Sequence, residues 1–285
     1  MRTKILLLLF IGILMSFLFV LNVFAQDEPK DQQKRVIEEE LVLKDPTVAA
    51  EKKWLVGASV EGWYVNSPYN RYYSNGTKAS DGTMSGGMPG GNIFVGYDDF
   101  TLQYSYRAGS FDIDSTWAGS GVVTKLTQDQ AEHEITLRYL IKPLSFKHFV
   151  PYAIAGYNHT TRKDKETIIT PGWVWGYNLS TVKTFDKTYK SPLLGIGAIV
   201  PFNNYLGMRG DLRVLYSFAD VVRDDGYSVS DSGVGCSGIA TFYWNIWEGL
   251  NLQVGAKGLY LNGGNKVGTD GKIGGFAMLG YVYKF

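Results

Sequence analysis

The sequence predicts an all-β fold, a transmembrane up-and-down antiparallel barrel of about ten strands. Three observations carry that expectation: an export signal at the amino end, short alternating stretches filling the rest of the chain, and connections that are by turns short and long.

The opening segment, MRTKILLLLFIGILMSFLFVLNVFA, sets Arg2 and Lys4 before an uncharged apolar run. It ends on Val23, Phe24 and Ala25, with small residues at the two positions a signal peptidase inspects. Residues 1–25 are therefore read as a signal peptide; the run also reaches spanning length, so an uncleaved anchor is the alternative. Residues 26–52 change character, being charged and poor in aromatics, with Pro29 and Pro46. Too few apolar residues are present there to bury a core, which predicts a flexible periplasmic arm. Residues 53–285 form the barrel.

The chain of 285 residues carries a formal net charge of +1, which argues against nucleic acid as a partner. Cys236 is its one cysteine, so no internal disulfide forms. From Trp54 onward come WLVGASVEGWYV, GNIFVGY, FTLQYSYRA, EITLRYLIK, FVPYAIAGYN, PLLGIGAIVPF, LGMRGDLRVLYSF, SGIATFYWNI, LNLQVGAKGLYL and GGFAMLGYVYKF, each bounded by Gly, Asn, Asp or Pro. The connections Asp98–Asp99, Pro143–His148, Asn203–Tyr205 and Trp247–Gly249 are short. Those from Asn66 to Pro89, Gly109 to His133, His159 to Ser191, Ala219 to Gly235 and Asn262 to Gly274 are long. Antiparallel neighbours then place every short turn at one end and every long loop at the other, the pattern of short periplasmic turns and long extracellular loops.

Parity tests this. Around Asp98–Asp99, Tyr97 faces Phe100, Val95 faces Leu102 and Ile93 faces Tyr104. Around Gly249, which suits a left-handed turn position, Ile246 faces Leu250, Trp244 faces Leu252, Phe242 faces Val254 and Ala240 faces Ala256. Across PLSFKH the expectation is Ile141 with Val150, Tyr139 with Tyr152 and Leu137 with Ile154.

One face of these strands carries Glu61, Arg107, Glu134, Arg138, Arg209, Asp211, Arg213 and Lys257; the other carries almost no charge. With aromatics such as Trp54, Tyr64, Tyr97, Trp244, Tyr260, Tyr281 and Tyr283 toward the strand ends, the uncharged face is read as facing lipid and the eight charges as facing the lumen. Gly57, Gly96, Gly195, Gly197, Gly207, Gly255 and Gly280 fall on the charged side, where they leave room for long side chains.

The terminal GYVYKF, with Leu279, Tyr281, Tyr283 and Phe285 on one side, resembles the carboxy-terminal signature of bacterial outer-membrane barrel proteins. PYAIAGYN is similar to strands of small barrels of the OmpA and opacity-protein type. The resemblance implies an outer-membrane location after export, contact with outer-membrane lipids and lipopolysaccharide, and recognition of the last strand by the barrel-assembly machinery.

For chemistry, histidine is scarce: His133, His148 and His159. His133 and His159 approach each other at the outer ends of neighbouring strands. They are candidates to ligate a metal with Glu132, or for His133 to act as base to Ser110 or Ser115. No ligand spacing or nucleophile motif supports either, and the expectation is a non-enzyme without cofactor or bound metal. The long connections are rich in Tyr, Ser, Gly and Asn, with Trp173 and Trp175, a composition suited to recognising an extracellular protein or glycan. The lumen of so narrow a barrel is expected to be closed or nearly so. The alternatives are a narrow passive channel with mild anion preference and, more distantly, a rim hydrolase.

Overall fold

The computed structural model describes residues 54–285, apart from 73–77, 118–122, 146–148, 171–178, 248 and 285. The segments expected to be a signal peptide (1–25) and a periplasmic arm (26–52), with His148, Trp173, Trp175 and Phe285, lie outside the described residues. Ten strands run in order: β1 (Trp54–Tyr72), β2 (Lys78–Tyr97), β3 (Phe100–Trp117), β4 (Val123–Leu140), β5 (Val150–Thr170), β6 (Leu179–Pro201), β7 (Leu206–Arg223), β8 (Ser228–Trp247), β9 (Leu250–Asn262) and β10 (Thr269–Lys284). A 3₁₀ turn, Lys142–Leu144, and one short helix, α1 (Gly264–Val267), interrupt them. Each strand pairs antiparallel with its sequence neighbours, and β1 closes on β10 with Leu55 opposite Lys284 and Val65 opposite Gly274. Closure leaves no free sheet edge, the condition for a sheet to cross hydrocarbon.

The outer wall near the short turns is apolar. Leu194, Ile196, Val60, Ile93 and Phe242 are 60–69% exposed, whereas Glu132, Asp211 and Arg213 inside are 0–3% exposed. No outward position from Trp54 to Tyr64, Tyr139 to Ala131, Pro151 to Thr161 or Leu206 to Phe218 carries Asp, Glu, Lys or Arg. Aromatic girdles bound this belt. At the lower edge Trp54 meets Tyr97 and Phe100 meets Tyr139 in tilted ring contacts, with centroids 4.6 and 4.8 Å apart; at the upper edge Tyr216 meets Phe218 at 5.1 Å. An exposed apolar surface without charge, on a sheet with no free edge, is one suited to lipid, so this belt belongs in a bilayer.

The turns set the registers. Asp98 takes φ 51°, as a two-residue hairpin turn requires, and Tyr97 opposes Phe100, Val95 opposes Leu102 and Ile93 opposes Tyr104. At the β8–β9 turn Gly249 has φ 83° and Trp244 opposes Leu252, but a bulge between Asn245 and Trp247 leaves Ile246 extra, so Leu250 meets Trp247 instead. The β4–β5 hairpin differs from expectation by one residue: Tyr139 opposes Ala153, Leu137 opposes Ala155 and Leu140 opposes Tyr152. A one-residue slip exchanges faces. Tyr152 and Ile154 therefore point inward and are buried, 1% and 2% exposed, and the 3₁₀ turn absorbs the difference in length.

Much of what the composition assigns to long loops is strand. β6 has 23 residues, which at ~3.3 Å per residue and ~45° tilt rises about 55 Å, twice the ~25 Å apolar band. Above the belt the polarity of the wall reverses. On β4 the outward residues change from Tyr139, Leu137 and Ile135 to Asp129, Thr127 and Lys125, while Leu126 turns inward and is 5% exposed. Val65, Met84, Met88, Phe111 and Leu261 line the same upper interior, at 0–6% exposure. The barrel is thus a membrane protein below and a water-facing β-barrel above.

Candidate functional site: the barrel lumen

Alternation along each strand delivers polar side chains to the interior, and two inward glycines show how they fit. A Cβ on Gly197 would sit 2.3 Å from the Tyr152 ring, and one on Gly207 would sit 1.9 Å from the Tyr243 hydroxyl. Both rings lie across the glycine backbone, filling the lumen floor.

All eight lumen charges named from the sequence face inward and are largely or wholly buried: Glu61, Arg107, Glu134, Arg138, Arg209, Asp211, Arg213 and Lys257. The structure adds Glu132. Arg107 binds Glu61 and, at 2.6 Å, Glu132, while Lys257 lies 3.6 Å from Glu132 and 4.8 Å over the Trp63 ring. Arg213 spans Glu134 and Asp211, each at 2.8 Å. Arg209 Nη2 lies 3.7 Å from Asp211, and its Nε donates to the Tyr152 hydroxyl at 3.3 Å. Arg138 differs: it is 7% exposed yet makes no hydrogen bond or ion pair with a described residue, and its Nε is orphaned.

A second storey stands above, one that composition alone does not reveal because its residues fall in the apparent loops. Arg162 holds Asp164 through Nε at 2.5 Å and Nη2 at 2.7 Å, and reaches Asp270 at 3.2 Å. Lys187 joins Asp164 at 3.3 Å and Lys272 joins Asp270 at 3.5 Å. The wholly buried Gln128 turns its carbonyl oxygen to the Arg162 guanidinium, which only donates. Arg162, Asp164 and Glu166 share parity with Tyr152, so the expected register, with Tyr152 opposite Tyr139 on the lipid face, hides them, and only the observed one-residue shift turns that set inward.

Below these storeys a cavity of about 130 Å³ occupies the half of the lumen nearest the short turns. Arg138, Arg209 and Tyr152 line it with an amide set in which Gln103 donates to Asn92 at 3.2 Å and Gln253 to Asn251 at 2.8 Å. Above it, Trp63, Met88, Phe111, Gln128, Glu132, Tyr189 and Leu261, at 0–1% exposure, fill the cross-section.

The rim candidates do not assemble. His133 opposes His159 on the outer wall, their rings 6.3 Å apart, and the Tyr104 hydroxyl bonds His133 Nδ1 at 2.8 Å. Glu132 cannot join them, because adjacent strand residues face opposite sides and it is committed to Arg107 inside. Ser110 hydrogen-bonds Asp129 rather than His133, and Ser115 opposes Thr124. Tyr106 is the residue opposite His133, about 13 Å along β3 from Ser110. Among the described residues no group of three or more His, Cys, Asp or Glu could hold a metal ion. Leu279, Tyr281 and Tyr283 face outward on β10, at 45–57% exposure.

No protein-family model matches the chain. No curated protein matches it either. Solved structures do. The outer-membrane protease OmpT of Escherichia coli aligns over 84% of this chain and 100% of its own, at 12% identity and TM-score 0.48. The translocator domain of the autotransporter NalP from Neisseria meningitidis aligns over 88% and 95%, at 14% identity and TM-score 0.45. OprG of Pseudomonas aeruginosa aligns over 82% and 96%, at 13% identity and TM-score 0.34. Similarity at this level assigns no activity. The closed, even-stranded, inside-out architecture is itself that of a bacterial outer-membrane barrel.

Proposed function

We propose that this chain is an integral outer-membrane barrel without enzymatic activity, exported by residues 1–25, whose lumen is closed and whose work is done at the cell surface. One observation carries the reading: the lumen cross-section is occupied by side chains at 0–1% exposure, locked by two storeys of buried ion pairs. Wide aqueous pores need about sixteen strands and side chains fill barrels of about eight, so ten is nearer to filled. The strands instead extend past the bilayer as a raised wall whose outward side chains, Lys125, Asp129, Lys163 and Lys165 among them, are polar and accessible. Such a rim suits a structural role or recognition of an extracellular protein or glycan, with lipopolysaccharide around it and the terminal strand serving the assembly machinery.

The cavity near the short turns favours a second reading, a narrow channel for small solutes. Single-channel recording in a planar bilayer separates the two. The closed lumen predicts no steady conductance from the full-length protein; an ohmic step whose size changes in Arg209→Ala or Arg213→Ala overturns it.

A further inference from the structure

Within the lower storey, Arg107, Arg138, Arg209, Arg213 and Lys257 face four carboxylates, Glu61, Glu132, Glu134 and Asp211. The surplus cation is not spread evenly. Arg107 and Lys257 are matched by Glu61 and Glu132, and Arg213 by Glu134 and Asp211. Arg209 shares Asp211 only at 3.7 Å, and Arg138 makes no ion pair with a described residue. The under-compensated pair lines the one cavity described above, and the carboxylates on that cavity's wall, Glu61 and Glu134, are already held by Arg107 and Arg213. A buried guanidinium with no counter-ion is costly, and a second beside the same cavity adds repulsion.

We propose that this cavity is a binding site for a small oxyanion, phosphate or carboxylate in type, held by Arg138 and Arg209 and entering from the short-turn side. The arginine forks supply the charge, and both are fixed by the barrel wall: Arg138 stands on β4 opposite Thr101 and Ile154, and Arg209 on β7 is tethered to Tyr152. Asn251 and Gln253 on the cavity wall each commit one amide hydrogen, to Asn245 and Asn251 in turn, and have a second to offer. The cavity accommodates such an anion together with water. The site does not depend on whether the lumen conducts.

The test uses the full-length barrel folded in detergent, titrated calorimetrically with inorganic phosphate and, in a second arm, with acetate. Saturable binding is expected, accompanied by a rise in unfolding temperature with anion concentration. Phosphate alone identifies a tetrahedral-anion site, and acetate in addition identifies a general oxyanion site. Arg138→Met, which keeps the stem and removes the charge, should weaken binding about tenfold or more. A second variant guards against misfolding. Thr101→Asp places a carboxylate directly across the sheet from Arg138, on the cavity wall. It should raise the unfolding temperature without added anion and abolish binding. Absence of saturable binding by the folded wild-type barrel, or equal binding by wild type and Thr101→Asp, overturns the proposal.

Discussion

The worth of a charged side chain in this protein depends on which face of the wall it occupies. Lys142 meets Asp99 at 2.8 Å and Asp98 at 3.4 Å in a short turn, with its side chain 55% exposed. The carboxylates hold its ammonium above the ordinary lysine value, Asp99 foremost. Water and salt screen such a pair, which is worth at most about 1 kcal/mol. Glu132 is its opposite: 0% exposed, it is shared by Arg107 and Lys257. Removing it leaves two buried cations with fewer partners, and the penalty for that is about 3–5 kcal/mol. Glu132→Ala should therefore lower the unfolding free energy in urea by about that amount, whereas Asp98→Ala should change it by under about 1 kcal/mol. Comparable losses from the two variants would mean that the lumen is wet enough to screen its charges. Sequence parity alone is enough to place Arg107, Asp211 and Arg213 inside. It places Glu132 there too once adjacent residues are required to alternate, and that alternation undoes its candidacy as a ligand beside His133.

At the scale of the element, the strand cores were legible and their outer halves were not, for one physical reason. Alternation of apolar and polar residues is visible where one face meets lipid. Above the belt the outside meets water, so β5 reads Thr161, Lys163 and Lys165 outward and Arg162, Asp164 and Glu166 inward, a stretch polar on both sides. The β5–β6 hairpin nonetheless continues in register from His159 opposite Lys190 to Thr170 opposite Leu179. The connection from β9 to β10 is tied down in another way. Asp231 on β8 accepts from the backbone amides of Ser232 at 2.9 Å and Lys266 at 3.1 Å, fastening α1 to the wall. Those amides, Ser232 first and then Lys266, pull its carboxyl below the ordinary aspartate value. A depressed folded-state value means the contact is at full strength above the unfolded pKa of about 3.9 and is lost as pH falls through the lower folded value. Hydrogen-exchange protection of the Lys266 amide should be flat between about pH 5 and 8 and decline below about pH 4, while Asp231→Ala should abolish it throughout. Protection in Asp231→Ala equal to wild type would show that α1 is held by Asn262 and the Gly263–Gly268 backbone bond alone.

The whole molecule combines two solvents along one wall, and that sets where each part must stand. The short turns, Asp98–Asp99 among them, lie below an uncharged belt, and the strand extensions lie above it. If the turns face the periplasm, Ile196 on the outer wall sits in hydrocarbon, at 67% exposure to what surrounds the barrel, while Lys163 stands in external water. Cys236, the native thiol, also faces outward and would confuse a labelling experiment, so Cys236→Ser is the starting background. In that background three single cysteines report the layout on intact cells treated with a membrane-impermeant maleimide. Lys163→Cys should react at once, Asp99→Cys only after the outer membrane is permeabilised, and Ile196→Cys in neither condition until detergent replaces the bilayer. Early reaction at Asp99→Cys would invert the topology. Reaction of Ile196→Cys in the intact membrane would remove the barrel from the bilayer, because a side chain within an uncharged belt of about 25 Å is shielded from an aqueous reagent only where lipid covers it.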